Sequence, residues 1–231
     1  MNKTLLTVLF IFSFSASYSQ DSIVFFSDAL KANIKSYNKA SDLAFEKRDF
    51  NEGQRLFDSL VQYKLVGTQF DNFTIKSYNS KKVELNKITK PVFIITYASW
   101  CVLNKGEIPA LNKLAKEHRN NMEFIVLFWD KKCNIKKIAN LFNSNIKVCY
   151  ANESYDNDSR IVSTLKHTLG FPTSYFIDEN KKVVSIKRVV SQFQPKTALK
   201  IAIAQSYDNL SKSINESLIN KSVVHSRLAT N

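Results

Sequence analysis

A solid apolar run that leads through a short turn into an amphipathic stretch constrains the fold of this chain most strongly. Residues 91–97 read PVFIITY, which is typical of a fully buried parallel strand rather than a half-exposed one. Residues 107–118 follow with helical spacing, and Trp100 and Cys101 lie at the junction. A cysteine at the start of a helix is expected to favour the thiolate, because unpaired N–H groups and the helix dipole stabilise negative charge there. The alternative is an ordinary small residue in a strand-to-helix turn.

The segment around Cys101 resembles the active site of thioredoxin-like proteins, and more closely that of the secreted TlpA/ResA-type thiol-disulfide oxidoreductases. That family has an apolar strand, then W-C-x-x-C, a basic residue and E-x-P. The matching positions here are Trp100, Cys101, Lys105, Glu107 and Pro109. The second cysteine of the motif falls on Asn104, and Leu103 replaces the proline that often precedes it. The resemblance implies a nucleophile at Cys101 without the usual resolving thiol.

A second motif, Gly170-Phe171-Pro172-Thr173, resembles the G-x-P-T/S segment of the same family. There the proline is cis and lies beside the nucleophile, which implies that Pro172 faces Cys101. The backbone next to it could then pair with an extended substrate. The alternative is a trans proline that opens a strand.

Two acidic positions of the family bear on proton transfer. Glu107 matches the acid that TlpA/ResA-type proteins place near the redox cysteines, where it tunes the thiol pKa or relays protons. A solvated helix carboxylate is the alternative. The buried acid of thioredoxins corresponds to Ile95, so that relay is missing.

The predicted elements follow the order β-α-β-α-β-β-α, which the thioredoxin fold requires. The resemblance covers residues 66 to about 208. We therefore expect an α/β protein with a thioredoxin fold, a central mixed sheet flanked by helices, and an N-terminal helical appendage. The predicted helices are 107–118, 136–142, 160–169 and 195–220, and the strands lie within 70–76, 78–85, 91–97, 122–129, 146–150, 173–178 and 182–190.

The N-terminus has the pattern of a secretory signal peptide. Lys3 precedes an apolar run at 5–12, and small residues lead to a cleavage point after Ser19. A membrane anchor is the alternative, but the run is short for a span. The predicted divisions are a signal peptide at 1–19, the helical appendage at 20–64, a thioredoxin-like domain at 65–208, and a helix end and tail at 209–231. This organisation predicts a periplasmic or secreted protein with no transmembrane segment.

Export would place three cysteines in an oxidising compartment. Because the count is odd, at least one thiol cannot pair within the chain. Cys133 follows the strand at 122–129, and four lysines at 131–137 surround it, which is expected to lower a thiol pKa. Cys133 is thus the candidate for resolving Cys101; the alternative is an exposed, unused thiol. Cys149 lies in an apolar strand and is expected to be buried and inert.

The formal net charge of +13 fits either an acidic partner or membrane surface, or a solvated lysine-rich surface. The basic residues form no aromatic or arginine-rich stripe, so no nucleic-acid partner is expected. No cofactor or metal is expected either, because the chain lacks a phosphate-binding loop and its three histidines are scattered.

These patterns support thiol-disulfide exchange in redox homeostasis. Cys101 would be the single nucleophile, Trp100 and Pro172 would shape the cleft, and Asn104 would hydrogen-bond the thiolate. The partners would be protein or peptide thiols and disulfides, together with a membrane-bound or exported reductant. The alternative is a redox-inactive module that grips a partner polypeptide. A one-cysteine peroxidase is less favoured, since no proline and threonine precede Cys101 in the peroxiredoxin pattern.

Overall fold

The structure is a computed structural model that describes residues 23–79, 81–101, 104–188 and 196–229, with side chains described as far as residue 221. The predicted signal peptide therefore lies outside the described residues. None of the described helices is both long enough and apolar enough to cross a membrane.

A seven-stranded mixed sheet forms the centre of the fold, with the strand order β2-β1-β5-β4-β3-β6-β7. Its strands are β1 (Thr74–Ser77), β2 (Val83–Glu84), β3 (Val92–Tyr97), β4 (Glu123–Phe128), β5 (Ile146–Tyr150), β6 (Thr173–Ile177) and β7 (Val183–Arg188). The three central strands β3, β4 and β5 are parallel, and the outer strands join them antiparallel. This is the predicted thioredoxin fold.

Seven α-helices surround the sheet in the described part of the chain. They are α1 (Phe26–Glu46), α2 (Phe50–Leu60), α3 (Glu107–His118), α4 (Lys136–Ala139), α5 (Ser159–Ile161), α6 (His167–Leu169) and α7 (Leu199–Ala229). Wider turns of π-helix, Val61–Leu65 and Val162–Lys166, extend α2 and join α5 to α6. The predicted helix at 136–142 is thus too long. The predicted helix at 195–220 starts four residues later and runs on to Ala229.

The sheet separates two apolar cores. Alternate residues of β3 point to opposite faces, so Ile94 belongs to one core while Phe93 and Ile95 belong to the other. The first core also holds Phe26 and Phe57 from the two N-terminal helices. The predicted helical appendage therefore packs directly on the sheet, and its boundary at residue 64 stays a prediction.

The N-terminal half of α7 turns a different face inward than its apolar residues indicate. Helical spacing of the apolar residues favours an inward face formed by Ala198, Ile201, Ala204, Leu210 and Ile214, and of these Leu210 and Ile214 are buried whereas the other three are exposed. The side chains that the helix buries lie at positions spaced mostly four residues apart, Ala202, Ser206, Leu210, Ile214 and Ser217. Ile201 is 53% exposed, because the backbone of Gly106 packs against Ala202 and fixes which face of α7 turns inward.

Asp71 anchors the N-terminal helices to the sheet domain. Its carboxylate is 1% exposed and accepts hydrogen bonds from the backbone N–H and the hydroxyl of Ser27, both at 2.8 Å. Arg160, at the start of α5, makes an ion pair with the same carboxylate. One side chain therefore caps α1 and joins it to α5.

We expect Asp71→Ala to lower the free energy of unfolding by about 2–3 kcal/mol, because it leaves the Ser27 donors without their buried acceptor. Urea unfolding measures this loss. Asp28→Ala is the matched control, because Asp28 is an exposed carboxylate in the first turn of α1, next to Ser27. Its loss should lower the free energy of unfolding by less than about 1 kcal/mol. Equal losses in the two variants would contradict the anchoring role of Asp71.

Candidate active site

Cys101 lies in a turn that begins where β3 ends. The backbone N–H of Ala98 donates to the Cys101 sulfur at 3.3 Å, and the Cys101 N–H donates to the Ala98 carbonyl at 2.9 Å. Ser99 holds the turn in place: its N–H and hydroxyl donate to the two carboxylate oxygens of Asp130, each at 2.6 Å. The turn is thus tied to the loop that follows β4.

The prediction that a helix N-terminus favours the Cys101 thiolate is wrong. Helix α3 begins at Glu107, six residues after Cys101, so the cysteine lies outside its first turn. Partial burial raises the pKa of the Cys101 thiol, and the negative charges of Asp130 and Glu107 raise it further, whereas the N–H of Ala98 opposes the rise. Cys101 is therefore predominantly a thiol at neutral pH.

The cis-proline segment lies next to this turn. The Phe171–Pro172 bond is cis, as the motif predicted. The hydroxyl of Thr96 in β3 donates to the Thr173 carbonyl at 3.1 Å and accepts from the Thr173 N–H at 3.2 Å. The Trp100 ring is 73% exposed and packs edge-on against Phe171, with 5.5 Å between ring centroids. The structure thus brings both predicted motifs together at one edge of the sheet.

Asn104 organises the start of α3. Its side-chain oxygen accepts the N–H of Gly106 at 3.0 Å, and its carbonyl accepts the N–H of Glu107 at 2.9 Å. These bonds form an Asx-type turn ahead of the helix. The predicted hydrogen bond from Asn104 to the Cys101 thiolate stays a prediction.

Glu107 is 5% exposed, so its alternative interpretation as a solvated carboxylate is wrong. The hydroxyl of Tyr97, at the end of β3, donates a short hydrogen bond to one carboxylate oxygen. Burial raises the pKa of Glu107, while hydrogen bonds to its carboxylate from the Tyr97 hydroxyl and from the backbone of Asn104 act in the opposite direction. Sequence reasoning missed Tyr97; the available signal was a phenol hydroxyl at the carboxyl end of a buried strand.

The three cysteines are free thiols. Cys133 is exposed in the turn before α4, and its sulfur lies 3.4 Å from the side-chain oxygen of Asn134. That turn follows Asp130 and is thereby connected to the Cys101 turn, yet a Cys101–Cys133 partnership stays a prediction. Cys149 is buried as predicted, and burial raises its pKa to about 12.

A cavity of about 560 Å³ lies next to the start of α3. Asn104 and Glu107 form one wall, the end of β7 another, and α7 the third. Its charged lining residues are Glu107, Lys187, Arg188, Asp208, Lys212 and Glu216. Among the described side chains, no cluster of histidine, cysteine and acidic residues could hold a metal ion.

Comparison with known proteins identifies the class to which this fold and site belong. Residues 66–186, just over half of the chain, match the AhpC/TSA family, and the chain belongs to that family. It is a thioredoxin-like member, with relatives among the thiol-disulfide oxidoreductases.

Two curated relatives and one solved structure illustrate the similarity. Thiol-disulfide oxidoreductase ResA of Bacillus cereus is 28% identical over 123 residues, covering 52% of this chain and 67% of that protein. Thioredoxin-like protein YneN of Bacillus subtilis is 22% identical over 125 residues, covering 52% of this chain and 69% of that protein. The crystal structure of the exposed lipoprotein thioredoxin of Streptococcus pneumoniae overlaps 60% of this chain and 99% of its own, with a TM-score of 0.43 and 20% identity.

Proposed function

We propose that this protein is exported and exchanges thiols and disulfides through Cys101 as its single nucleophile. The observation that carries the proposal is the position of Cys101: a free, half-buried thiol in a turn that lies between the Asp130 loop and the cis-Pro172 segment. The exposed Trp100 offers an apolar surface for a substrate beside it. The names of the curated relatives support the same chemistry.

The reaction conserves thiols and disulfides at each step. The Cys101 thiolate attacks one sulfur of a substrate disulfide, a mixed disulfide forms, and the other substrate sulfur leaves as a thiolate that takes up a proton. A thiol then attacks the mixed disulfide and releases Cys101. Because Asn104 has no sulfur, this second thiol comes from the substrate, from a small thiol, or from Cys133. When a thiol of the substrate attacks the substrate sulfur, a new substrate disulfide forms, Cys101 leaves as a thiolate, and the net result is isomerisation. Reduction takes two external thiols: the first attacks the Cys101 sulfur and frees the substrate thiol, and the second attacks the sulfur of the first, so that Cys101 is released and the two external thiols become a disulfide. When Cys133 is the attacking thiol, the substrate leaves reduced, a Cys101–Cys133 disulfide forms, and two external thiols then reduce it.

We also propose where the protein acts and with which partners. The signal-peptide pattern at residues 1–19 supports a periplasmic or secreted location. Disulfide-bearing proteins or peptides are the substrates in that compartment, and an exported or membrane-bound reductant supplies the thiols.

A second candidate function is a redox-inactive module that binds an extended polypeptide next to Pro172. The raised pKa of Cys101 favours this alternative, since a thiol that stays protonated is a weak nucleophile at neutral pH. The lack of a sulfur atom in Asn104 points the same way.

A trapping experiment separates the two candidates. A peptide disulfide with a chromogenic leaving thiol is added to Cys133→Ser protein at pH 8, and intact mass reports any adduct. Exchange predicts one peptide on Cys101, rapid release of that peptide by an added thiol, and no adduct in a Cys101→Ser, Cys133→Ser double variant. Peptide binding without an adduct, unchanged by Cys101→Ala, would instead establish the binding module and contradict the exchange mechanism.

A further inference from the structure

A buried tyrosine–carboxyl pair lies behind the Cys101 turn. Tyr97 is completely buried at the end of β3, and its hydroxyl donates to a carboxylate oxygen of Glu107 in the first turn of α3. A carboxylate removed from water needs such a donor, because an unpaired buried charge is very costly. Neither the family motif nor the exchange chemistry assigns a role to Tyr97.

The backbone around the pair fixes its geometry. The Tyr97 carbonyl accepts the N–H of Trp129 at 2.8 Å, which holds the tyrosine in the sheet next to β4. The Glu107 N–H donates to the Asn104 carbonyl at 2.9 Å, which holds the other partner at the helix start. Both side chains therefore extend from rigid elements, and the hydrogen bond between them sets the direction of the carboxyl group.

We propose that Tyr97 is a positioning residue: its hydroxyl fixes the Glu107 carboxyl group beside the Cys101 turn and thereby couples the ionisation of Glu107 to that of the Cys101 thiol. The assignment of a redox role to this coupling rests on the proposed function, but the coupling itself does not. Tyr97 acts through Glu107 and touches no substrate.

Other charged groups near Glu107 and Cys101 come from the loop after β4, from β7 and from α7. Asp130 faces the Cys101 turn from the loop after β4. The cavity that Glu107 lines also receives Lys187 and Arg188 from β7, and Asp208, Lys212 and Glu216 from α7. Lys187 is paired with Glu216, and Arg188 donates to the Tyr37 hydroxyl at 2.6 Å. These partners limit the field that the β7 cations exert on Glu107.

The direction of the coupling follows from the charges. An ionised Glu107 raises the pKa of Cys101, and the Tyr97 hydroxyl stabilises the ionised form of Glu107. The hydroxyl therefore keeps Glu107 charged down to lower pH, and over that interval the charge decreases the small fraction of Cys101 that is ionised. By linkage, ionisation of either acid makes ionisation of the other less favourable.

Tyr97→Phe removes the hydroxyl while keeping the ring, and the Glu107 titration is followed by carbon-13 NMR of its side-chain carboxyl group. We expect the midpoint to move up by about one to two pH units, since a hydrogen bond to a charged group is lost. Alkylation of Cys101 in a Cys133→Ser background supplies the second measurement. The logarithm of the alkylation rate rises with pH, and we expect a smaller slope (a flattening) over the pH range in which Glu107 deprotonates. In Tyr97→Phe, this range of smaller slope should lie higher by the same number of pH units.

Two further variants make the test specific. Tyr207→Phe is the matched control, because its hydroxyl donates to Glu117 at 2.7 Å on the exposed surface of α3, and it should leave both the Glu107 midpoint and the alkylation profile unchanged. Glu107→Gln keeps an acceptor for Tyr97 and should abolish the flattening altogether. It also serves if Tyr97→Phe fails to fold.

The proposal is overturned if the Glu107 midpoint is the same with and without the Tyr97 hydroxyl. It is also overturned if the midpoint moves but the alkylation profile does not, or if the flattening persists in Glu107→Gln. Alkylation requires no disulfide turnover. A chain that shows the coupling but forms no mixed disulfide at Cys101 would thus contradict the proposed function and leave the inference about Tyr97 intact.

Discussion

Gly106→Ala should lower the free energy of unfolding by about 3 kcal/mol or more and loosen α7 from the segment that joins Cys101 to α3. A β-carbon at position 106 would overlap the carbonyl group of Ala202 and lie 2.5 Å from the backbone nitrogen of Ile203. Backbone atoms inside a helix cannot move aside as a flexible side chain can, so α7 as a whole must shift. The loss comes from space alone, because φ of −84° at Gly106 is allowed for alanine.

Urea unfolding of Gly106→Ala measures this loss, and the alkylation rate of Cys101 reports whether the turn is loosened. Gly53→Ala is the matched control, since Gly53 lies within α2 with no atom within 4 Å of an added β-carbon. That variant should gain about 0.5–1 kcal/mol from a better helix former and a less flexible unfolded chain. If Gly106→Ala leaves the free energy of unfolding unchanged or raises it, α7 does not pack closely on the backbone of Gly106.

Asn104→Cys should increase the rate of disulfide reduction in the presence of dithiothreitol by roughly a hundredfold or more. A thiol three residues after Cys101 would attack the mixed disulfide within the molecule, and well-placed intramolecular groups act at effective concentrations of about 10⁵ M or more. On oxidation, the introduced thiol should also form a disulfide with Cys101, which intact mass and resistance to alkylation detect. An insulin-reduction assay gives the rate.

Asn104→Ser is the control for this gain. Its hydroxyl can still accept the N–H of Gly106, as the Asn104 side chain does at 3.0 Å, but it supplies no sulfur. We expect its reduction rate to stay at the parental level. If Asn104→Cys forms no internal disulfide, position 104 is not where a resolving thiol would act, and the proposed reason for single-cysteine chemistry fails.

The fold could be predicted from local sequence patterns, because each pattern matches the environment that the residues have in the tertiary structure. The apolar run at 91–97 is buried on both faces, so its hydrophobicity does not alternate, and β3 lies between β4 and β6. The motifs around Cys101 and Pro172 carried the family resemblance, and the match of residues 66–186 to the AhpC/TSA family confirmed it. Helix α6 ends at Leu169, where the predicted helix at 160–169 also ends, and Gly170 follows with a φ of 75° that favours glycine.

The site was predicted less completely, because its properties depend on neighbours that are distant in sequence. The pKa of Cys101 depends on Asp130 from the loop after β4 and on Glu107, and both oppose ionisation. The burial of Glu107 depends on Tyr97 and on α7, which lies about a hundred residues further along the chain. Periodicity within a helix could not show that Ala202 rather than Ile201 faces inward, because the close approach of Gly106 decides it.

Residue types and short spacings were enough to establish the order of strands and helices and the position of Cys101 at the end of a central strand. They also led to the prediction that Asn104 takes the place of the second cysteine in the family pattern. The raised pKa of Cys101 and the buried pairing of Glu107 with Tyr97 became known from the folded structure alone. Burial and Coulomb interactions depend on distances through space, and those distances are set when the chain folds.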